Sequence, residues 1–109
     1  MKLPILEKTY DLILWLYPTV NKFPKSQRFV LGQHIENLSL EILEKIIEVN
    51  TYQKKAELLK KISIELDKLR FLIRLSRDLK MIDLRKYEIA SEKINEIGKM
   101  LGGWIKSCR

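Results

Sequence analysis

Phe23-Pro24-Lys25-Ser26-Gln27-Arg28-Phe29-Val30-Leu31-Gly32 separates the first long apolar segment of the chain from the second, and its reading decides how the rest is arranged. Pro24 fixes its own φ and pushes Phe23 towards extended geometry, so a helix ending near Asn21 has to turn here. Ser26 is placed to cap a new helix by accepting a hydrogen bond from a free N–H of its first turn. Lys25 and Arg28 are expected to remain outside, beside Phe23 and Phe29. The plain outcome is a helix–helix corner sealed by two aromatics. The sharper one is a corner that also grips a phosphate or a partner's carboxylate.

On either side of this corner, apolar residues recur with helical period. Before it, Leu3, Leu6, Tyr10, Ile13, Tyr17 and Val20 form one stripe. Around Leu12-Ile13-Leu14-Trp15-Leu16 this segment becomes apolar nearly all round, more than one neighbouring helix can cover. Pro18 removes a hydrogen bond and is expected to kink it. After the corner, Leu31, Ile35, Leu38, Ile42, Ile46 and Val49 repeat at spacings of four and three, with Asn50 as a C-cap and Thr51 as a cap for the third helix. A third stripe runs through Leu59, Ile62, Leu66, Leu69, Ile73 and Ser76. The fourth is the cleanest: Tyr87, Ala90, Ile94, Ile97, Leu101 and Trp104, behind Asp83 as N-cap.

Short links near residues 21–26, 50–52 and 80–83 make consecutive helices antiparallel neighbours. The reading is therefore all-α: one domain over residues 1–109, an up-down-up-down four-helix bundle with helices at about 3–21, 26–49, 52–79 and 83–106. Gly98, Gly102 and Gly103 fall late in the fourth stripe. Each costs a helix interior roughly 1 kcal/mol relative to alanine. Trp104 keeps the stripe's spacing beyond them, so the helix is expected to continue. Gly98 and Gly102 then offer a smooth surface to a neighbouring helix, within the bundle or across a subunit boundary.

Charge is unevenly spread. The chain of 109 residues carries a formal +7, and from Asn50 to Lys80 nine Lys or Arg face four Asp or Glu. With Leu59 at heptad position a, Lys54, Lys61 and Lys68 fall at c, Lys60 and Arg74 at b, and Arg70 and Arg77 at e. These positions adjoin around the helix, so the cations form one broad stripe opposite or flanking the core. Such a run is either a solvated face or a polyanion surface. Arg70 and Arg74 are alternatively ion-paired to glutamates of the second helix, which is the acidic segment (Glu36, Glu41, Glu44, Glu48). Ile64 and Phe71, seven apart at position f with Leu75 nearby, point away from the seam. Together with the Trp15 region they suggest a second covered face and self-association.

Composition narrows the class further. Apolar residues at 46% and charged residues at 32% fit a folded soluble protein, not a disordered one. A single cysteine, Cys108, excludes an internal disulfide and suits a reducing compartment. No apolar run reaches the about 18 residues of a membrane span and no secretion signal opens the chain, so a cytoplasmic location is expected, with no membrane partner. His34 is the sole histidine and Cys108 stands next to the terminus, which leaves no placed nucleophile and base. Glu41, Glu44 and Glu48 have helical spacing but lack the Glu-x-x-His pairs of a bundle metal site. Phosphate loops and zinc-ligand spacings are absent. Neither catalysis, cofactor nor metal is expected.

Leu16-Tyr17-Pro18, the Phe23–Gly32 block, Leu69-Arg70-Phe71-Leu72-Ile73-Arg74-Leu75 and Gly98-Lys99-Met100-Leu101-Gly102-Gly103-Trp104-Ile105 together resemble the accessory variability determinant (Avd) proteins of diversity-generating retroelements. They are similar also to the four-helix proteins encoded in intervening sequences of bacterial 23S ribosomal RNA genes. The resemblance runs from about Leu12 to Ile105. It implies a homopentameric barrel with a basic surface that binds the reverse transcriptase and associates with RNA and DNA in mutagenic retrohoming, without catalysis of its own. On that footing Lys25, Arg28, Lys54, Lys61, Lys68, Arg70, Arg74 and Arg77 are the candidates for polymerase or nucleic-acid contact. Trp15, Ile64, Phe71, Gly98 and Gly102 are those for the oligomer interface. A protein-binding oligomeric scaffold that binds no nucleic acid is the competing reading.

Overall fold

Proline, not serine, starts the helix after the corner. The computed structural model describes residues 3–108, and in it Pro24 is the N-cap residue, its carbonyl accepting from the N–H groups of Gln27 and Arg28 at 2.9 and 3.0 Å. Ser26 sits exposed inside the first turn and caps nothing. The preceding helix, α1, spans Leu3–Asn21 and passes through Pro18 without interruption. The next, α2, is composite: a turn at Lys25–Gln27, a π-helical segment at Arg28–Gly32 and a regular helix at Gln33–Glu48. A 3₁₀ turn at Val49–Thr51 ends it. Helices α3 (Lys55–Asp78) and α4 (Leu84–Ser107) complete the chain.

Each helix packs on the next and α4 returns to α1, so the four form a square bundle about 43 Å long. The α2 and α3 stripes pack as their spacing predicts. Leu31, Ile35, Leu38, Ile42, Ile46 and Val49 are buried, as are Leu59, Ile62, Leu66, Leu69, Ile73 and Ser76. In α4, Ala90, Ile94, Ile97, Leu101 and Trp104 are buried, while Tyr87 is half-buried. Asp83 caps α4, its carboxylate accepting from the Lys86 N–H at 2.8 Å, and the helix runs on past Gly102 and Gly103.

As far as Tyr17 the α1 stripe is displaced by one residue from the expected one, while Val20 is buried as expected. Ile5, Thr9, Leu12, Leu16 and Val20 are buried, whereas Tyr10 is exposed and Leu6, Ile13 and Tyr17 are half-buried. Leu3, the expected first member, lies outside the residues whose side chains are described. The displacement has a local cause. A helix apolar on most faces offers two stripes one residue, or about 100°, apart. Thr9 broke the correct one as a polar residue, yet its hydroxyl donates to the Ile5 carbonyl at 2.8 Å and so tolerates burial.

The corner also differs from expectation. Phe23 is buried, but Phe29 is 64% exposed and Val30 more so. In a helical turn, α or π, Phe29 lies roughly half a turn from Leu31 and so faces water when Leu31 faces the core. Thr51 does not cap α3. Its hydroxyl donates back to the Glu48 carbonyl at 2.8 Å, and the N-cap residue Lys54 supplies no side-chain hydrogen bond. Between α3 and α4, Lys80 adopts φ 63° while the Met81 N–H reaches the Ser76 carbonyl at 2.8 Å. That is a Schellman closure built without glycine.

Candidate nucleic-acid interface

The cations of α3 divide into two groups. Lys54, Lys60, Lys61 and Lys68 are exposed, and none forms an ion pair among the described residues. Lys61 and Lys68 lie two turns apart on one line, about 10 Å along the axis, and Lys54 continues that line at the helix start. These ammonium groups form a solvent-facing ridge.

The arginines are engaged. Arg70 pairs with Asp67 one turn back, and its Nε donates to Asn95 of α4 at 3.3 Å. Arg74 approaches Asp78 at 4.0 Å. Arg77 donates to the same carboxylate through Nε and Nη2 at 3.1 and 2.9 Å, and stacks over Tyr87 with its guanidinium carbon 4.4 Å from the ring centre. The carboxylates that answer Arg70 and Arg74 thus belong to α3 itself, at i,i−3 and i,i+4, and not to glutamates of α2. The α2–α3 ion pair is instead Lys45–Glu65.

At the corner, Lys25 is exposed but Arg28 turns inward. Its Nη2 donates to the Phe23 carbonyl at 3.4 Å, and its Nε is buried with no hydrogen-bond partner among the described groups. Arg28 does not stand outside beside Phe29 as the sequence suggested. It is half-buried at the start of the π-helical turn. Elsewhere on α2, burial pushes the Glu36 carboxyl above the usual carboxylate range. Burial first, and the Glu36 charge second, raise the Tyr17 phenol.

The candidate interface residues fall on separate faces. Ile64 and Phe71, 57% and 67% exposed, line an open apolar groove with Leu72 and His34 between α2 and α3. Trp15 lies half-buried in a different groove between α1 and α4, on the opposite side of the square. Gly98 faces α3 of its own bundle: a Cβ there would come within 2.6 Å of Arg70 Nη2 and 3.6 Å of Leu66 Cδ2. At Gly102 a Cβ would meet nothing. Among the described residues no group of His, Cys, Asp and Glu is arranged to hold a metal, and no helix is long and apolar enough to cross a membrane.

A protein-family model described as bAvd-like matches residues 3–108 of this all-helical chain. The chain belongs to the bAvd-like family. This agrees with the Avd resemblance of its motifs and covers every helix of the bundle. No curated protein matches the sequence.

In this bAvd-like chain, sequence reasoning found the cations of α3 but not which of them are engaged. Asp67 and Asp78 were legible as carboxylates one turn from Arg70 and Arg74 and were the available signal. The Arg77–Tyr87 stack, between residues of different helices, had none.

Proposed function

We propose that this bAvd-like protein is a non-catalytic accessory factor of a diversity-generating retroelement, acting in the cytoplasm as a homo-oligomer, a pentamer by family analogy. In this reading it binds the reverse transcriptase and holds RNA and DNA during mutagenic retrohoming. The observation that carries the reading is the lysine ridge of α3, which meets no carboxylate among the described residues, on a chain of family-wide match and formal charge +7. Ammonium groups in solvent neutralise phosphates irrespective of sequence and release counterions in doing so. Nothing on the ridge reads base edges, so recognition is led by charge and shape.

The engaged arginines retain a part in this scheme. Exposed ion pairs are worth little, so a phosphate can replace Asp67 or Asp78 as the partner of Arg70, Arg74 or Arg77. Lys25 adds a cation at the corner. Ile64 and Phe71 supply the apolar face for self-association, and Gly102 leaves room for a neighbouring backbone.

The test is binding of a labelled RNA–DNA hybrid across a salt series, together with co-purification of the reverse transcriptase encoded beside the gene. Tight binding at low salt that falls steeply as salt rises, with a polymerase in the purified complex, supports the reading. The exposed Ile64–Phe71 groove favours a second reading, an oligomeric scaffold that binds only protein. A stable ring with no hybrid binding at low salt would select it. A gene lying inside a ribosomal RNA gene, with no reverse transcriptase beside it, would instead select the intervening-sequence branch.

A further inference from the structure

The groove between α1 and α4 combines an apolar floor with a cationic rim, and neither the phosphate ridge nor the Ile64–Phe71 face includes it. Leu14, Trp15 and Pro18 of α1 and Ile89 of α4 line a depression of about 360 Å³, edged by Lys22, Arg85 and Lys86. Leu14 is 57% exposed, a large apolar side chain left in water. No ion pair among the described residues engages Lys22, Arg85 or Lys86. The one carboxylate on the rim, Asp83, is already occupied in capping α4 through the Lys86 N–H. Pro18 has no N–H to offer the Leu14 carbonyl, which leaves a backbone acceptor beside the floor.

We propose that this groove docks an acidic peptide segment carrying a large apolar side chain, contributed by a partner protein. The charge pattern chooses the occupant. Three cations around a concave apolar floor, with no ion-pair partner among the described residues, match carboxylates that flank one inserted side chain, and the volume suits one or two such groups. A nucleic-acid strand fits less well. Its bases seek open aromatic platforms, whereas Trp15 is packed against the core and Leu14, Pro18 and Ile89 are not aromatic. A bilayer surface takes a continuous convex apolar face in place of a cleft.

The probes are three labelled peptides, of alternating Glu and Leu, alternating Gln and Leu, and alternating Glu and Ser, titrated against the full chain. Fluorescence anisotropy should show binding of the Glu/Leu peptide and a loss on the order of tenfold for each of the others. The K22E/R85E/K86E variant should lose a similar factor, and Leu14→Ser, at an exposed position, should weaken binding severalfold with an unchanged helical circular dichroism spectrum. In a Trp104→Phe background the emission of Trp15 should move to shorter wavelength as the Glu/Leu peptide is added. Should that variant fold poorly, the anisotropy series on the unsubstituted chain decides alone. Absence of Glu/Leu binding, or equal binding by K22E/R85E/K86E, overturns the proposal. So does displacement of the peptide by a single-stranded oligonucleotide or by phosphatidylserine vesicles at equal charge, or a Trp15 shift that follows self-association without peptide.

Discussion

Lys45 on α2 and Glu65 on α3 form an ion pair whose acidic half is only 9% exposed. One carboxylate oxygen takes the lysine, and the other is buried with no partner among the described groups. The hydrogen bond to Glu65 is the main cause holding the Lys45 ammonium above its ordinary pKa, against the opposing effect of desolvation. Removing one partner should therefore cost more than removing both. Lys45→Met strands a buried carboxylate and should lower stability by about 2 kcal/mol, less than for a fully buried pair because Lys45 remains partly in water. The double variant K45M/E65L should recover most of that loss in urea unfolding.

The same pair has a pH signature. Because the folded pKa of Lys45 lies above the unfolded value of about 10.4, its contribution is fully present below that pH and lost as pH rises through the folded value. The stability difference between wild type and K45M/E65L should thus be flat through neutral pH and shift against the wild type only in strong alkali. A difference that instead changed between pH 6 and 8, measured as midpoint shifts, would show that other groups control it.

Three glycines separate by what surrounds them. At Gly32 a Cβ would meet Val20 Cγ1 at 2.7 Å, inside the α1–α2 contact. Val20 is stiff at χ1 and buried, so Gly32→Ala should destabilise by about 1–3 kcal/mol. Gly98→Ala meets the far end of the Arg70 side chain, which can swing away, so its cost and the helix-propensity gain should nearly cancel. Gly102→Ala meets nothing and should stabilise α4 by up to about 1 kcal/mol. Thermal melts in the order Gly32→Ala, Gly98→Ala, Gly102→Ala should rise. A Gly102→Ala variant that melts higher but assembles less would place that glycine at a subunit boundary.

Lys80 holds the left-handed position that ends α3, a conformation costing an L side chain about 1–2 kcal/mol. Lys80→Gly should therefore stabilise by about 1 kcal/mol while keeping the Met81-to-Ser76 hydrogen bond. A drop in melting temperature would contradict the closure described.

How much of this was legible depended on periodicity. The α2, α3 and α4 stripes could be read because each keeps its apolar residues on one face and most of its charged residues on the others. The α1 stripe could not, since Leu12, Ile13, Leu14, Trp15 and Leu16 fit either of two registers and Thr9 disguised the buried one. The π-helical turn was equally hidden: nothing in Arg28-Phe29-Val30 announces a widened turn, and so the inward Arg28 and outward Phe29 were both misjudged. Of the candidate sites, position around α3 was readable, but pairing was not. Whether an arginine meets a carboxylate depends on rotamers, which spacing does not specify.

Ile64 and Phe71 present two large apolar side chains on the outer face of α3, in a groove that they line with Leu72, His34, Asp67 and Lys68. Burying two such side chains against another copy contributes roughly 1.5–3 kcal/mol each. Phe71→Glu or Ile64→Glu should lower the native mass in light scattering while the stability of the dissociated chain stays within about 0.5 kcal/mol of wild type. An unchanged mass for both would remove this face from the assembly.

The ridge and the arginines can be told apart by salt. Removing one phosphate-binding cation should reduce the slope of log affinity against log salt by about 0.9 on a duplex. K54E/K61E/K68E removes groups that no carboxylate among the described residues answers, so it should flatten the slope by nearly three such steps and weaken low-salt binding by more than an order of magnitude. R70E/R74E/R77E starts from guanidinium groups already facing Asp67 and Asp78. Its effect on the slope should be smaller, because those arginines must first surrender a partner before meeting a phosphate. Arg70 and Arg77 also tie α3 to Asn95 and Tyr87, so this variant should lose some thermal stability that the lysine variant keeps. Equal melting points with a larger slope change for the arginine set would move the phosphate surface from the lysine ridge to the α3–α4 seam.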